Sequence, residues 1–183
     1  MKETFSELIA YLKNPVLEKD NNQETSYRLR KFLNILIISI ITGAILSPIF
    51  ILIEASGLVD LNDHAMEEMM RTMSKTVIFL FAVVLAPLLE ELIFRAPITL
   101  FRDEKSFKIA FYFFAVIFGL VHITNFTMTT NVLLLAPILV LPQIVLGCYL
   151  GFIRVKFGLG WSMLLHACYN AFFILGSFAA DLI

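Results

Sequence analysis

Charge is what this sequence has least of: Asp, Glu, Lys and Arg make up 16% of its 183 residues, against 59% hydrophobic, and the mean hydropathy is +0.85. A water-soluble domain carries about a quarter charged residues, so composition points away from a soluble globule and towards a bilayer as the solvent. A surplus of either sign is also lacking, with 14 Lys and Arg against 15 Asp and Glu. That leaves no basic surface of the kind nucleic acid needs. There are only two cysteines, Cys148 and Cys168, both inside apolar stretches. They read as small packing residues, which excludes a disulfide framework or a thiolate metal site. Met1 to Lys13 has no uninterrupted apolar core and carries Glu3, Glu7 and Lys13, so it does not read as a signal peptide. No internal repeat and no low-complexity tract is visible.

What the sequence has is long apolar runs. A spanning helix needs about 20 mostly apolar residues, and five stretches qualify: Phe32 to Ile53, Thr76 to Phe101, Phe107 to Ile123, Val132 to Ile153, and Gly160 to Ala180. The expected fold is all-α, a polytopic transmembrane helix bundle of about five spans. Ahead of it, Phe5, Leu8, Ile9 and Leu12 recur at helical spacing and predict an amphipathic helix lying on the membrane surface. Asn14 to Ser26 is polar and reads as a loop. Residues 1–31 therefore form an N-terminal cytoplasmic segment, and 32–183 the membrane domain, with its motif-bearing core at 76–180. Gly147 and Gly151, four apart in the fourth span, permit close helix contact.

Basic residues fix the orientation. Lys2, Lys13, Lys19, Arg28, Arg30 and Lys31 precede the first span. Arg102, Lys105 and Lys108 lie between spans two and three, and Arg154 and Lys156 between spans four and five. The opposite side holds only Arg71 and Lys75. The N-terminus is expected in the cytoplasm, and the C-terminus, ending Asp181-Leu182-Ile183, outside.

An ionisable residue at the centre of a span costs about 2.5–3.5 kcal/mol on insertion scales, so it needs a partner or a function. The second span carries Glu90, Glu91 and Arg95. Glu91 and Arg95 are one turn apart and can pair, which leaves Glu90 as a carboxylate with no partner in its own segment, fit for acid–base work. The third span holds His122, and the fifth His166 and Asn170, again one turn apart. Each group alone is as readily a packing or hydrogen-bonding residue. At 1.5 Å per residue, however, Glu90 lies about 18 Å above Arg102, His122 about 21 Å above Lys108, and His166 and Asn170 about 15 and 21 Å above Lys156. Groups from three spans thus reach one level, provided that span two stays helical through Pro97. His64, among Asn62, Asp63, Glu67 and Glu68, reads as a solvated loop residue outside this set.

In these residues the chain resembles the type II CAAX prenyl endopeptidases and their bacterial relatives, the CPBP intramembrane proteases. The family carries Glu-Glu-x-x-x-Arg, Phe-x-x-x-His and His-x-x-x-Asn in order. Here they read Glu90-Glu91 to Arg95, Phe118 to His122, and His166 to Asn170. Gly147, Gly151 and Gly160-Trp161 add similar texture, and the match runs from about Ala86 to Ala171. The family places glycine after the motif arginine, whereas this chain has Ala96 and then Pro97. The resemblance implies hydrolysis of a peptide bond in a membrane-associated or C-terminal peptide substrate, by an integral protein of a bacterial cytoplasmic membrane. It implies water activation by Glu90 with His122, oxyanion stabilisation by His166 with Asn170, and support from Glu91 and Arg95.

Metal use stays open at this point. Glu90, His122 and His166 make a His₂Glu set of the kind catalytic Zn²⁺ takes. The same groups suffice for metal-free water activation, and the helical zinc motif His-Glu-x-x-His is absent. Competing readings are a non-enzymatic immunity or partner-binding membrane protein, a proton or ion conduit through Glu90 and the histidines, and a serine protease based on Ser162, which has no second partner in the sequence.

Overall fold

The computed structural model describes residues 1–61 and 64–180 and is all-helical. The expectations for Asn62, Asp63 and Asp181 to Ile183 lie outside the described residues. Five stretches are long and apolar enough to cross a membrane: Thr25–Ala55, Lys75–Leu100, Glu104–Asn125, Thr130–Phe157 and Leu159–Ala180. Their outward faces are aliphatic, with Ile45, Leu52, Leu100 and Leu134 at least 70% exposed. Such a surface is stable against lipid tails and unfavourable in water.

Three spans are broken at proline. The first comprises α2 (Thr25–Leu46) and α3 (Pro48–Ala55). Pro48 cannot donate to the Ala44 carbonyl, and the Ser47 hydroxyl takes it instead at 3.0 Å. The fourth comprises α8 (Thr130–Leu139) and α9 (Leu141–Phe157), divided at Val140 just before Pro142. The second is the most irregular. It runs from α5 (Lys75–Phe79) through a π-helical segment (Leu80–Leu85) into α6 (Ala86–Phe94), then a turn and a 3₁₀ segment (Pro97–Leu100). The helix therefore stops at Phe94 and does not continue through Pro97, which corrects the premise of the depth estimate. Arg154 braces the break from α9, donating from Nε to the Arg95 carbonyl at 3.1 Å and from Nη2 to Thr99 Oγ1 at 2.9 Å. Arg154 is thus a residue of the last turn of α9 and not of a loop.

The third and fifth spans are more regular. Asp103 caps α7 (Glu104–Val121) by accepting from the Ser106 amide at 2.9 Å, and α7 ends in a 3₁₀ turn (His122–Asn125). Only Gly158 separates α9 from α10 (Leu159–Ala180); its φ of 106° is open to glycine and strained for other residues. Helices α7 and α9 pack closely against each other at the centre of the main core. A Cβ on Gly151 would come within 2.6 Å of the Phe111 ring, and one on Gly147 within 3.2–3.3 Å of Phe118, the Ala115 carbonyl and Arg95. The close contact expected at these glycines is present.

Helix α1 (Lys2–Lys13) forms, but its apolar face is not left to lipid alone. Leu8 and Tyr11 are buried in the main core with Phe32, Phe111 and Phe152. Its polar side is anchored by Lys31, whose ammonium lies 2.8 Å from Glu7 and 3.2 Å from Asp20. Burial alone would raise the Asp20 carboxyl, but hydrogen bonds from the Asn22 amide, Tyr27 and Lys31 hold it below the usual carboxylate range. A short helix α4 (Ala65–Thr72) sits in the connection between the first two spans.

Candidate active site

The spans enclose a cavity of about 580 Å³, and Glu90, His122, His166 and Asn170 all line it. The fold thus brings together four side chains from α6, the end of α7 and α10, despite the early end of α6. A second, shallower hollow on α10, lined by Phe172, Leu175 and Ala180 among others, has no titratable side chain in its wall.

Each member of the set is held by its own local structure. His122 stands where α7 tightens into the 3₁₀ turn, so its amide bonds Gly119 and Leu120 in place of the Phe118 carbonyl. The freed carbonyl lies 2.7 Å from His122 Nδ1. A carbonyl can only accept, so Nδ1 carries the hydrogen and Nε2 keeps its lone pair. The Phe118 ring then separates the two histidines, edge-on to His122 at 4.8 Å and to His166 at 5.7 Å between centroids.

His166 lies between two carboxylates. Its Nδ1 is 3.1 Å from Glu91 Oε1, and its Nε2 is 3.7 Å from Glu90 Oε2. Glu90 is 27% exposed into the cavity, whereas Glu91 is fully buried. Neighbouring residues one apart therefore do different things. Glu90 faces the open space and Glu91 faces the protein, where it also accepts a hydrogen bond from the Ser162 hydroxyl. Arg95 completes this buried group, with Nε 3.7 Å from Glu91 Oε1 and its guanidinium 4.0 Å from the Phe118 ring centroid. The expected Glu91–Arg95 pairing is present. Ser162 is fully buried on Glu91 and not a cavity residue, which removes the serine-protease reading.

Asn170 occupies a defect in the second span. In the π-helical segment the Ala86 amide reaches back to Phe81, so it no longer serves Ala82. The next amide that could serve Ala82 belongs to Pro87, which has no hydrogen. The Ala82 carbonyl is thus orphaned by its own helix, and Asn170 Nδ2 donates to it at 2.8 Å. One amide hydrogen of Asn170 remains for other use.

His64 is the correction. It also lines the cavity, half-buried, with its ring edge-on to Phe126 at 4.7 Å between centroids. It is a wall residue and not a solvated one. Burial pushes its imidazole below the ordinary value; Glu67 opposes this weakly and His122 adds to it. No periodicity or motif in the polar segment around it marks it out.

Among the described residues, no three His, Cys, Asp or Glu side chains are grouped closely enough to hold a metal ion. Glu90, His122 and His166 share a cavity without forming the zinc set that their residue types allow.

A family model described as type II CAAX prenyl endopeptidase Rce1-like matches residues 72–172. That stretch covers more than half of the chain and contains all four motif residues lining the cavity. No curated protein and no solved structure matches the chain.

Proposed function

The chain belongs to the type II CAAX prenyl endopeptidase Rce1-like family, and from that premise we propose that it hydrolyses a peptide bond of a membrane-associated or C-terminal peptide, using water activated by Glu90 and His122. One observation carries the reading: a cavity walled by transmembrane helices holds a carboxylate, two imidazoles and an amide, with Glu90 and His166 3.7 Å apart. The chain is a CAAX-protease-like integral membrane protein, and such a protein acts on substrates that reach it through or along the bilayer.

In the proposed reaction a water lies between Glu90 and His122 Nε2, whose lone pair is exposed because Nδ1 is held by Phe118. As the water attacks the scissile carbonyl, its proton passes to this pair of bases, a step worth roughly 10²–10⁴-fold in rate for a well-placed base. Negative charge then collects on the carbonyl oxygen. Glu91 accepts from His166 Nδ1–H and fixes the ring, so that the ring as an imidazolium directs its Nε2–H into the cavity, and the second amide hydrogen of Asn170 is available beside it. Donors already aimed at a developing oxyanion need no reorganisation. The proton held by Glu90 passes to the departing amine. The basic-residue asymmetry supports a cytoplasmic N-terminus and a C-terminus on the opposite side.

The test is cleavage by purified protein in nanodiscs, together with mapping of C-terminal and juxtamembrane fragments in cells. Glu90→Gln, His122→Ala and His166→Ala are expected to abolish cleavage in a folded, inserted protein. A Glu90→Gln chain that still cleaves would remove the mechanism.

A further inference from the structure

His64 is placed in the cavity by a segment outside the family motifs. Helix α4 begins with its ring: His64 Nδ1 accepts a hydrogen bond from the Met66 amide at 3.2 Å, acting as the N-cap. A nitrogen that accepts has no hydrogen, so the ring hydrogen is on Nε2. This tautomer is opposite to that of His122. The helix is held over the cavity by its apolar side, Met66 and Met69 packing against the cluster of Ile78, Val83 and Ile174. Both methionines also line the cavity. His64 therefore adds one ring donor to the wall of a cavity that Glu90 and His122 line with acceptors. A donor and an acceptor in the same wall are what an extended peptide needs, because each residue of its main chain offers one C=O and one N–H.

We infer that His64 contacts the substrate directly, its Nε2–H donating a hydrogen bond to a main-chain carbonyl of the peptide bound in the cavity. The inference takes the nature of the ligand from the peptidase reading above, but concerns binding and not the chemical step. It also gives α4 a role, as the element that fixes the donor.

The test separates the cap from the donor. His64→Asn keeps a side-chain acceptor for the α4 N-terminus, since Asn is among the best caps, but removes the ring and its hydrogen. His64→Ala removes both. The probe is a fluorescent peptide ending in a prenylated Cys and three further residues, bound to full-length protein in nanodiscs. It is measured in a Glu90→Gln background so that it stays intact. With His64→Asn, Kd is expected to rise roughly threefold to tenfold, as the loss of one hydrogen bond implies, with Tm unchanged. In the otherwise native chain the same substitution raises KM by a similar factor and leaves kcat largely alone. Equal peptide affinity in His64→Asn and native protein overturns the inference, whatever His64→Ala does. So does a native chain that does not bind the peptide. Cleavage that survives Glu90→Gln, with binding still weakened by His64→Asn, sinks the catalytic reading and leaves this one standing.

Discussion

Glu91 Oε1 lies 3.1 Å from His166 Nδ1, and Glu91 is the fully buried member of its pair while Glu90 is the cavity-facing one. Adjacent glutamates project about 100° apart on a helix, so one can be structural and the other reactive.

Their amides should therefore fail differently. Glu91→Gln withdraws the charge that faces Arg95 and His166, leaving buried charge uncompensated at a cost of about 3–5 kcal/mol. Lower yield and a lower Tm are expected, by fluorescence-detected thermal unfolding. Glu90→Gln, with access to the cavity, should unfold close to the native temperature while showing no cleavage. Equal Tm losses in both variants would contradict the division.

Asn170 should be coupled to Pro87 across two helices. Asn170→Ala leaves the Ala82 carbonyl without a donor, at a cost of about 1–3 kcal/mol. Pro87→Ala restores an amide hydrogen next to that carbonyl. The double variant is expected to be more stable than the sum of the two single changes implies. Hydrogen exchange over Leu80–Leu85 would show the same non-additivity locally. Strict additivity would mean that the orphaned carbonyl is not what Asn170 serves.

Gly151→Leu is expected to force α7 and α9 apart, because even a Cβ there comes within 2.6 Å of Phe111. Overpacking of this kind costs about 1–3 kcal/mol, read as a fall in Tm. Gly160→Ala is the control, as its added Cβ meets nothing within 4 Å.

The His64 region should loosen in acid. Burial, opposed by Glu67 and reinforced by His122, lowers the folded-state value of this imidazole from its ordinary 6.5. A depressed histidine contributes stability above its unfolded value, and that stability is lost as pH falls through the window below about 6.5 towards the folded value. Between pH 7.5 and 5.5 the native chain is thus expected to lose more Tm than His64→Asn. Parallel curves would show that His64 is not held neutral.

Metal removal separates the two mechanisms left open by residue types alone. With no three ligand-type side chains grouped among the described residues, a chelator is expected to leave cleavage unchanged. Inhibition reversed by added zinc would overturn that expectation.

The spans were legible because apolar runs of this length have few other uses. The meeting of Glu90, His122, His166 and Asn170 was legible because ionisable groups in a membrane helix are costly enough to need a reason. The depth estimate reached that meeting by a premise that fails at Phe94. The rest depended on contacts between distant parts of the chain. Ser162 and Glu91 are 71 positions apart, and Asn170 and Ala82 are 88 apart. No local pattern records such partners. His64 was hidden for a related reason: a polar loop composition describes a segment's average and not the one ring that folds inward. The π-helical segment left a faint trace in Pro87, which removes an amide but does not say how the helix will adjust.

The turn at Gly158 has a bearing on biosynthesis. Two helices joined through a single residue leave no slack for one to be inserted while the other waits, so α9 and α10 are expected to enter lipid together as a hairpin. His166 and Asn170 would then arrive in the membrane with Arg154, the cation that stitches the broken second span, so the polar centre cannot close before that hairpin is in place.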